Sequence, residues 1–88
     1  MSFRIANQQL DEYRTGLLRG DLTYVLAAAQ SRAWLFDSEI TAEQRRVTNG
    51  FLDQIVRYLA CKPEANPDGA LAAIERAREY WSTGRPRA

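Results

Sequence analysis

The first twenty residues place apolar side chains on one side of a helix. Four of them are spaced three or four residues apart, which is the spacing of an amphipathic helix: Ala6, Leu10, Tyr13 and Leu17. Asn7 is a good N-cap, and Gly20 suits the left-handed position that follows a helix. The pattern therefore predicts a first helix over residues 7–19.

A second helix is predicted over residues 22–36, with Asp21 as its N-cap. One apolar stripe is expected to face the core: Leu22, Val25, Leu26, Ala29, Ala33 and Phe36. In a straight helix a second apolar cluster lies roughly opposite it: Tyr24, Ala28 and Leu35, with Ala27 and Trp34 beside them. A helix that is apolar on two sides is either buried centrally or binds a partner with its second side.

The third and fourth helices have clear start signals. Thr41 and Gln44 have the spacing of a capping box, and the apolar pattern that follows predicts a helix over residues 42–61, stopped by Pro63. Asn66 followed by Pro67 predicts an N-cap and a first helical position, and a fourth helix over residues 67–82. Residues 83–88 are expected to form a flexible tail.

These elements predict an all-α fold. Four helices with short connections in 88 residues favour one compact domain over residues 1–88. The connection at Gly20 and Asp21 is so short that a partly orthogonal four-helix bundle is expected rather than a purely up-and-down arrangement.

Composition and charge limit the expected cellular location and source of the protein. Twelve basic residues oppose eleven acidic ones for a net charge of +1, and no segment forms a basic arm or an acidic tail. The chain has one cysteine, Cys61, and its N-terminus lacks the pattern of a signal peptide, so a cytoplasmic location is expected. Many alanine and arginine codons are GC-rich, which suggests a bacterial or phage source.

The chain lacks the residues that most enzymes use. It contains no histidine, which removes the commonest general base and the usual transition-metal ligand. The sequence patterns of phosphate-binding loops, dinucleotide-binding turns and nucleophile elbows are absent. We therefore expect no catalytic residue, no cofactor and no metal site, and a protein that is not an enzyme.

The second apolar cluster of the second helix predicts a protein interface. Tyrosine and tryptophan with a nearby arginine have the composition of binding hot spots, and the predicted set is Tyr24, Ala28, Arg32, Trp34 and Leu35. The resulting hypothesis is a small interaction protein, a homodimer through its second helix, that binds and inhibits a macromolecular protein partner. No membrane association is expected.

An alternative hypothesis is a helix-turn-helix regulator that binds DNA. The start of the third helix would present polar side chains to a major groove: Gln44, Arg45, Arg46, Thr48 and Asn49. Local charge cancellation disfavours it, because Glu39, Glu43 and Asp53 flank the arginines and the domain lacks a surplus of positive charge.

Overall fold

A computed structural model describes residues 2–60 and 64–83. Within them lie four α-helices and one 3₁₀ segment: α1 (Ser2–Leu18), α2 (Leu22–Ser31), the 3₁₀ segment Ala33–Phe36, α3 (Ala42–Ala60) and α4 (Pro67–Thr83). The all-α, four-helix fold is confirmed. The predicted end of the third helix at Cys61 and most of the predicted tail, residues 84–88, lie outside the described residues.

The predicted start signals act as local caps. The Asp21 carboxylate accepts a hydrogen bond from the Tyr24 amide. The Thr41 hydroxyl accepts from the Gln44 amide, and the Gln44 side chain accepts from the Thr41 amide, which completes the capping box. Three of the four helix starts are therefore fixed by side chains within three residues of the helix, since the Asn66 side chain caps α4 through the Gly69 amide.

The predicted start of the first helix at Asn7 is wrong. The helix begins at Ser2, and Asn7 lies inside it. Ala6 is fully buried on the core side of α1. Packing of this extra turn outweighs the local preference of Asn7 for a cap, as tertiary contacts commonly do.

The predicted second helix is interrupted in the middle. Helix α2 ends at Ser31 because Arg32 adopts a left-handed conformation, with φ of 38°. The Arg32 amide donates to the Ala28 carbonyl, and the chain continues as the 3₁₀ segment. Side chains beyond the break consequently point in directions that a straight helix would not give them.

Because of the break, two apolar residues have exposures opposite to those predicted. Phe36, which was assigned to the core stripe, is 72% exposed, whereas Leu35, which was assigned to the outer cluster, is fully buried. Both assignments were wrong for the same reason, because each assumed one continuous helix through Arg32.

The helices pack as a ring in which each contacts the next and α4 returns to α1. Ion pairs between Arg14 and Glu75 and between Asp11 and Arg78 show that α1 and α4 run antiparallel. Helices α1 and α2 approach each other closely at Gly16, where an added Cβ would lie 2.5 Å from Cγ2 of Val25. Across the described ranges, no helix combines the length and hydropathy needed to cross a bilayer.

Candidate protein-binding face

The exposed side of α2 carries no charge. Of the ten residues in α2, none is Asp, Glu, Lys or Arg, although 26% of the chain is charged. We call this surface the neutral face and define it as the exposed residues of α2 together with the two exposed residues of the 3₁₀ segment: Thr23, Tyr24, Ala27, Gln30, Ser31, Ala33 and Phe36.

Small residues occupy the middle of the neutral face. Thr23, Ala27 and Ser31 follow one another at intervals of four residues, so they form a row along one side of α2. Short side chains let a second helix approach closely, because the distance between helix axes is set by the side chains at the contact. The neutral face also includes two exposed aromatic residues, Tyr24 in α2 and Phe36 in the 3₁₀ segment.

Tyr24 is held in place from the side of α1. Its ring is 48% exposed, and its hydroxyl donates to Oε1 of Glu12 at 3.2 Å. This hydrogen bond to a carboxylate raises the pKa of Tyr24 above its usual value. Beside the ring lies a groove of about 330 Å³ over Gly16, lined by three acids and one arginine among its residues: Asp11, Glu12, Thr15, Gly16, Arg19, Asp21 and Tyr24.

Phe36 is fixed by an arginine of α3. The Arg45 guanidinium carbon lies 5.5 Å from the centroid of the Phe36 ring, within range of a cation–π interaction. Arg45 also donates to the Leu35 carbonyl at 2.8 Å and to the Ile40 carbonyl at 3.2 Å. An exposed aromatic ring in a fixed position loses little conformational entropy when a partner covers it.

Trp34 lies further inside than the sequence indicated. It is half-buried, and its indole donates to the Tyr13 hydroxyl at 2.9 Å. The Tyr13 hydroxyl in turn donates to the Ala28 carbonyl at 3.4 Å, and burial raises the pKa of Tyr13. Trp34 and Tyr13 therefore tie the 3₁₀ segment to α1 and α2.

The predicted interface residues are not brought together on one surface. Tyr24 is exposed, Ala28 and Trp34 are half-buried, and Leu35 is excluded from solvent and cannot serve in an outer interface in this conformation. The Arg32 side chain is only 18% exposed and is held by Asp53. Only the Tyr24 end of the predicted interface is therefore presented to solvent as expected.

Ala27 and Phe36 were missing from the prediction. Ala27 carried a usable signal, because it lies beside Tyr24 in a segment without charge. Phe36 carried none, because Arg32 is neither glycine nor asparagine and so gives no warning of a left-handed break.

The residues of the nucleic-acid alternative are largely occupied within the fold. Thr48 is fully buried and accepts a hydrogen bond from the Trp81 indole, and Asn49 accepts one from Arg32. Gln44 completes the capping box, and Arg45 donates a hydrogen bond to the Leu35 carbonyl, next to Phe36. Of the predicted set only Arg46 is exposed, so the expectation that the five residues face a major groove together is wrong.

Comparisons with known proteins give no relative from which a function could be transferred. No family model matches the sequence, and neither curated proteins nor solved structures give a significant match. In the described ranges, no group of three or more His, Cys, Asp or Glu side chains is placed to hold a metal ion.

Proposed function

We propose that this protein is a non-enzymatic interaction protein that forms a homodimer through the neutral face and binds and inhibits a macromolecular protein partner. The observation that carries the proposal is the absence of charge on the outer side of α2 in a chain that is otherwise rich in charge. The exposed side of a surface helix commonly carries charged residues, and none of the exposed positions of α2 does.

The chemistry of the neutral face favours a protein as its ligand. The buried centres of protein interfaces are depleted in charge and enriched in aromatic residues. Tyr24 and Phe36 supply exposed aromatic area, and the short side chains of the row through Ala27 permit a second helix to approach closely. A second copy suits this surface, because two neutral faces can meet without like charges opposing each other.

The homodimer is tested by sedimentation equilibrium of the wild type and of Ala27→Glu. We expect the wild type to sediment as a dimer at micromolar concentration and Ala27→Glu as a monomer, because a buried unpaired carboxylate is strongly unfavourable at an interface. The matched control is Ala72→Glu, since Ala72 is an exposed alanine on α4. The control should remain dimeric.

Two results would contradict the homodimer. One is a wild type that stays monomeric to millimolar concentration. The other is an equal loss of dimer in Ala27→Glu and Ala72→Glu, which would place the contact elsewhere or make it a general effect of charge. Circular dichroism of each variant checks that the helices remain folded.

The inhibitory role is proposed by elimination, because the chain contains no histidine and none of the sequence patterns of a phosphate-binding loop or a nucleophile elbow. A photo-reactive amino acid at position 27 or, as the control, at position 72 tests for a partner in the source organism. We expect a recurrent cross-linked protein from position 27 alone, whose activity falls when the purified interaction protein is added. Identical cross-links from both positions, or unchanged activity of the captured protein, would contradict the proposal.

A further inference from the structure

The break in α2 is not encoded by a helix-breaking residue. Residues 22–36 contain neither glycine nor proline, and three consecutive alanines, which favour helix, precede the break. Arg32 is nevertheless left-handed, and it is the only non-glycine residue with a positive φ in the described part of the chain. Residues with a Cβ rarely adopt this conformation, because it is sterically unfavourable.

The Arg32 side chain supplies the contacts that hold the break. Its Nε donates to the Ala29 carbonyl at 2.8 Å. Its Nη1 donates to Oδ1 of Asn49 at 3.0 Å and to Oδ1 of Asp53 at 2.7 Å. One side chain therefore covers a carbonyl near the end of α2 and binds two residues of α3.

The segment after Arg32 has an apolar side in two different registers. In the observed register Leu35 is buried and Trp34 is half-buried, while Phe36 faces solvent. If α2 continued as a helix, Ala33 and Phe36 would follow Ala29 at intervals of four and seven residues and share its buried side. Trp34 and Leu35 would then face outward.

We infer that residues 32–36 form a two-register switch and that Arg32 is its latch. With Arg32 bound to α3, the chain bends and presents Phe36. With Arg32 released, no contact offsets the cost of the left-handed conformation for a residue that has a Cβ, so α2 extends through Phe36, which turns inward and leaves Trp34 and Leu35 on the outer surface. The inference does not require the proposed dimer or partner, because the register is a property of a single chain; a second copy covering Phe36 would favour the bent register.

Two substitutions of Arg32 separate the latch from simple loss of a side chain. Both Arg32→Ala and Arg32→Gly remove the bonds to Asn49 and Asp53. Alanine disfavours the left-handed conformation and favours helix, whereas glycine accepts the left-handed conformation readily. Glycine has no cost to offset at this position and therefore needs no latch. The inference predicts the extended register in Arg32→Ala and the bent register in Arg32→Gly, whereas a purely structural role predicts the same local damage in both.

Nuclear magnetic resonance of the full chain reads the register directly. In Arg32→Ala we expect helical Cα shifts through Phe36 and hydrogen exchange at the Trp34 indole at least about tenfold faster, because its bond to Tyr13 is lost in the extended register. In Arg32→Gly the bent register and the protected Trp34 indole should persist. The Trp81 indole, bonded to Thr48, is the internal reference.

Asp53→Asn provides a milder test that leaves Arg32 in place. It weakens the charged contact, so it should shift the segment in the same direction as Arg32→Ala by a smaller amount. The inference is overturned if Arg32→Ala retains the bent register. It is also overturned if Arg32→Ala and Arg32→Gly give the same disordered shifts over residues 33–36. Should Arg32→Ala fail to fold, an unchanged register in Asp53→Asn overturns it.

Discussion

Helices α2 and α4 occupy equivalent places in the ring, since each packs between two neighbours, yet their outer surfaces differ. The outer side of α4 carries Glu75, Arg76 and Glu79, and Glu75 pairs with Arg14 of α1. The outer side of α2 carries no charge over its full length. A surface helix ordinarily places charged and polar residues away from the core, so α4 follows the expected pattern and α2 departs from it.

Their inner sides differ as well. Helix α4 buries two aromatic residues, Tyr80 and Trp81, among its six buried residues, while α2 buries only Val25 and Ala29. Leu22, Leu26 and Ala28 of α2 also pack against the core but are only partly buried, so α2 has fewer fully buried residues than α4. The two helices therefore differ both in how many residues they bury and in whether their outer sides carry charge.

The largest effect is expected for Trp81→Ala compared with Phe36→Ala. Trp81 packs edge-on against Tyr80 and donates to the fully buried Thr48 hydroxyl. Its removal should lower the free energy of unfolding by about 3–5 kcal/mol. Phe36 is 72% exposed and contacts the Arg45 guanidinium, so its removal should lower it by less than about 1 kcal/mol.

Urea unfolding of both variants and the wild type at one protein concentration measures these values. Similar losses in the free energy of unfolding for Trp81→Ala and Phe36→Ala would contradict the view that Trp81 stabilises the core whereas the exposed Phe36 does not. A fixed concentration matters, because dimerisation would add a concentration-dependent contribution to apparent stability.

Most of the fold could be predicted because most helix starts are local. Thr41 with Gln44, and Asn66 with Gly69, bond over three residues, so their signals lie within the sequence window. The end of α2, in contrast, depends on contacts between residues that are far apart in the sequence. Arg32 is held by Asn49 and Asp53, which lie 17 and 21 residues further along the chain. No local pattern reports a contact of that range.

The candidate site could likewise be predicted only where it depends on the local sequence. The absence of charged residues from residues 22–31 is a property of composition and can be read from the sequence. Which of Leu35 and Phe36 faces outward depends on the backbone at Arg32, and the helical periodicity gave the opposite answer. The sequence therefore predicts that an uncharged surface lies on α2. It does not predict which residues after Arg32 are exposed, because that depends on the conformation of Arg32.

An intermediate effect is expected for Gly16→Ala, which tests how α2 is held against α1. The added Cβ would lie 2.5 Å from Cγ2 of the buried Val25, so either the Val25 side chain or one of the two helices must shift. Overpacking of this kind costs about 1–3 kcal/mol, and the better helix propensity of alanine returns up to about 1 kcal/mol. We expect a net loss of about 1 kcal/mol in the free energy of unfolding.

Gly50→Ala is the matched control for that substitution. Gly50 also lies inside a helix, but no atom is found within 4 Å of the position of its Cβ. Only the propensity gain remains, and the substitution should stabilise the protein by about 0.5–1 kcal/mol. Stabilisation by both substitutions in urea unfolding would show that α1 and α2 are less closely packed than the distance indicates.

The smallest effect is expected from the charges on the outer side of α4. Arg14 and Glu75 are 3.2 Å apart, and their side chains are 42% and 53% exposed. A double-mutant cycle with Arg14→Ala and Glu75→Ala should give a coupling free energy of about 0.2–1 kcal/mol, reduced further by salt because exposed pairs are screened. Urea unfolding at low and high ionic strength measures it. A larger, salt-independent coupling would make these charges structural, and the contrast with α2 would then reflect the stability of α4 rather than a surface kept neutral for binding.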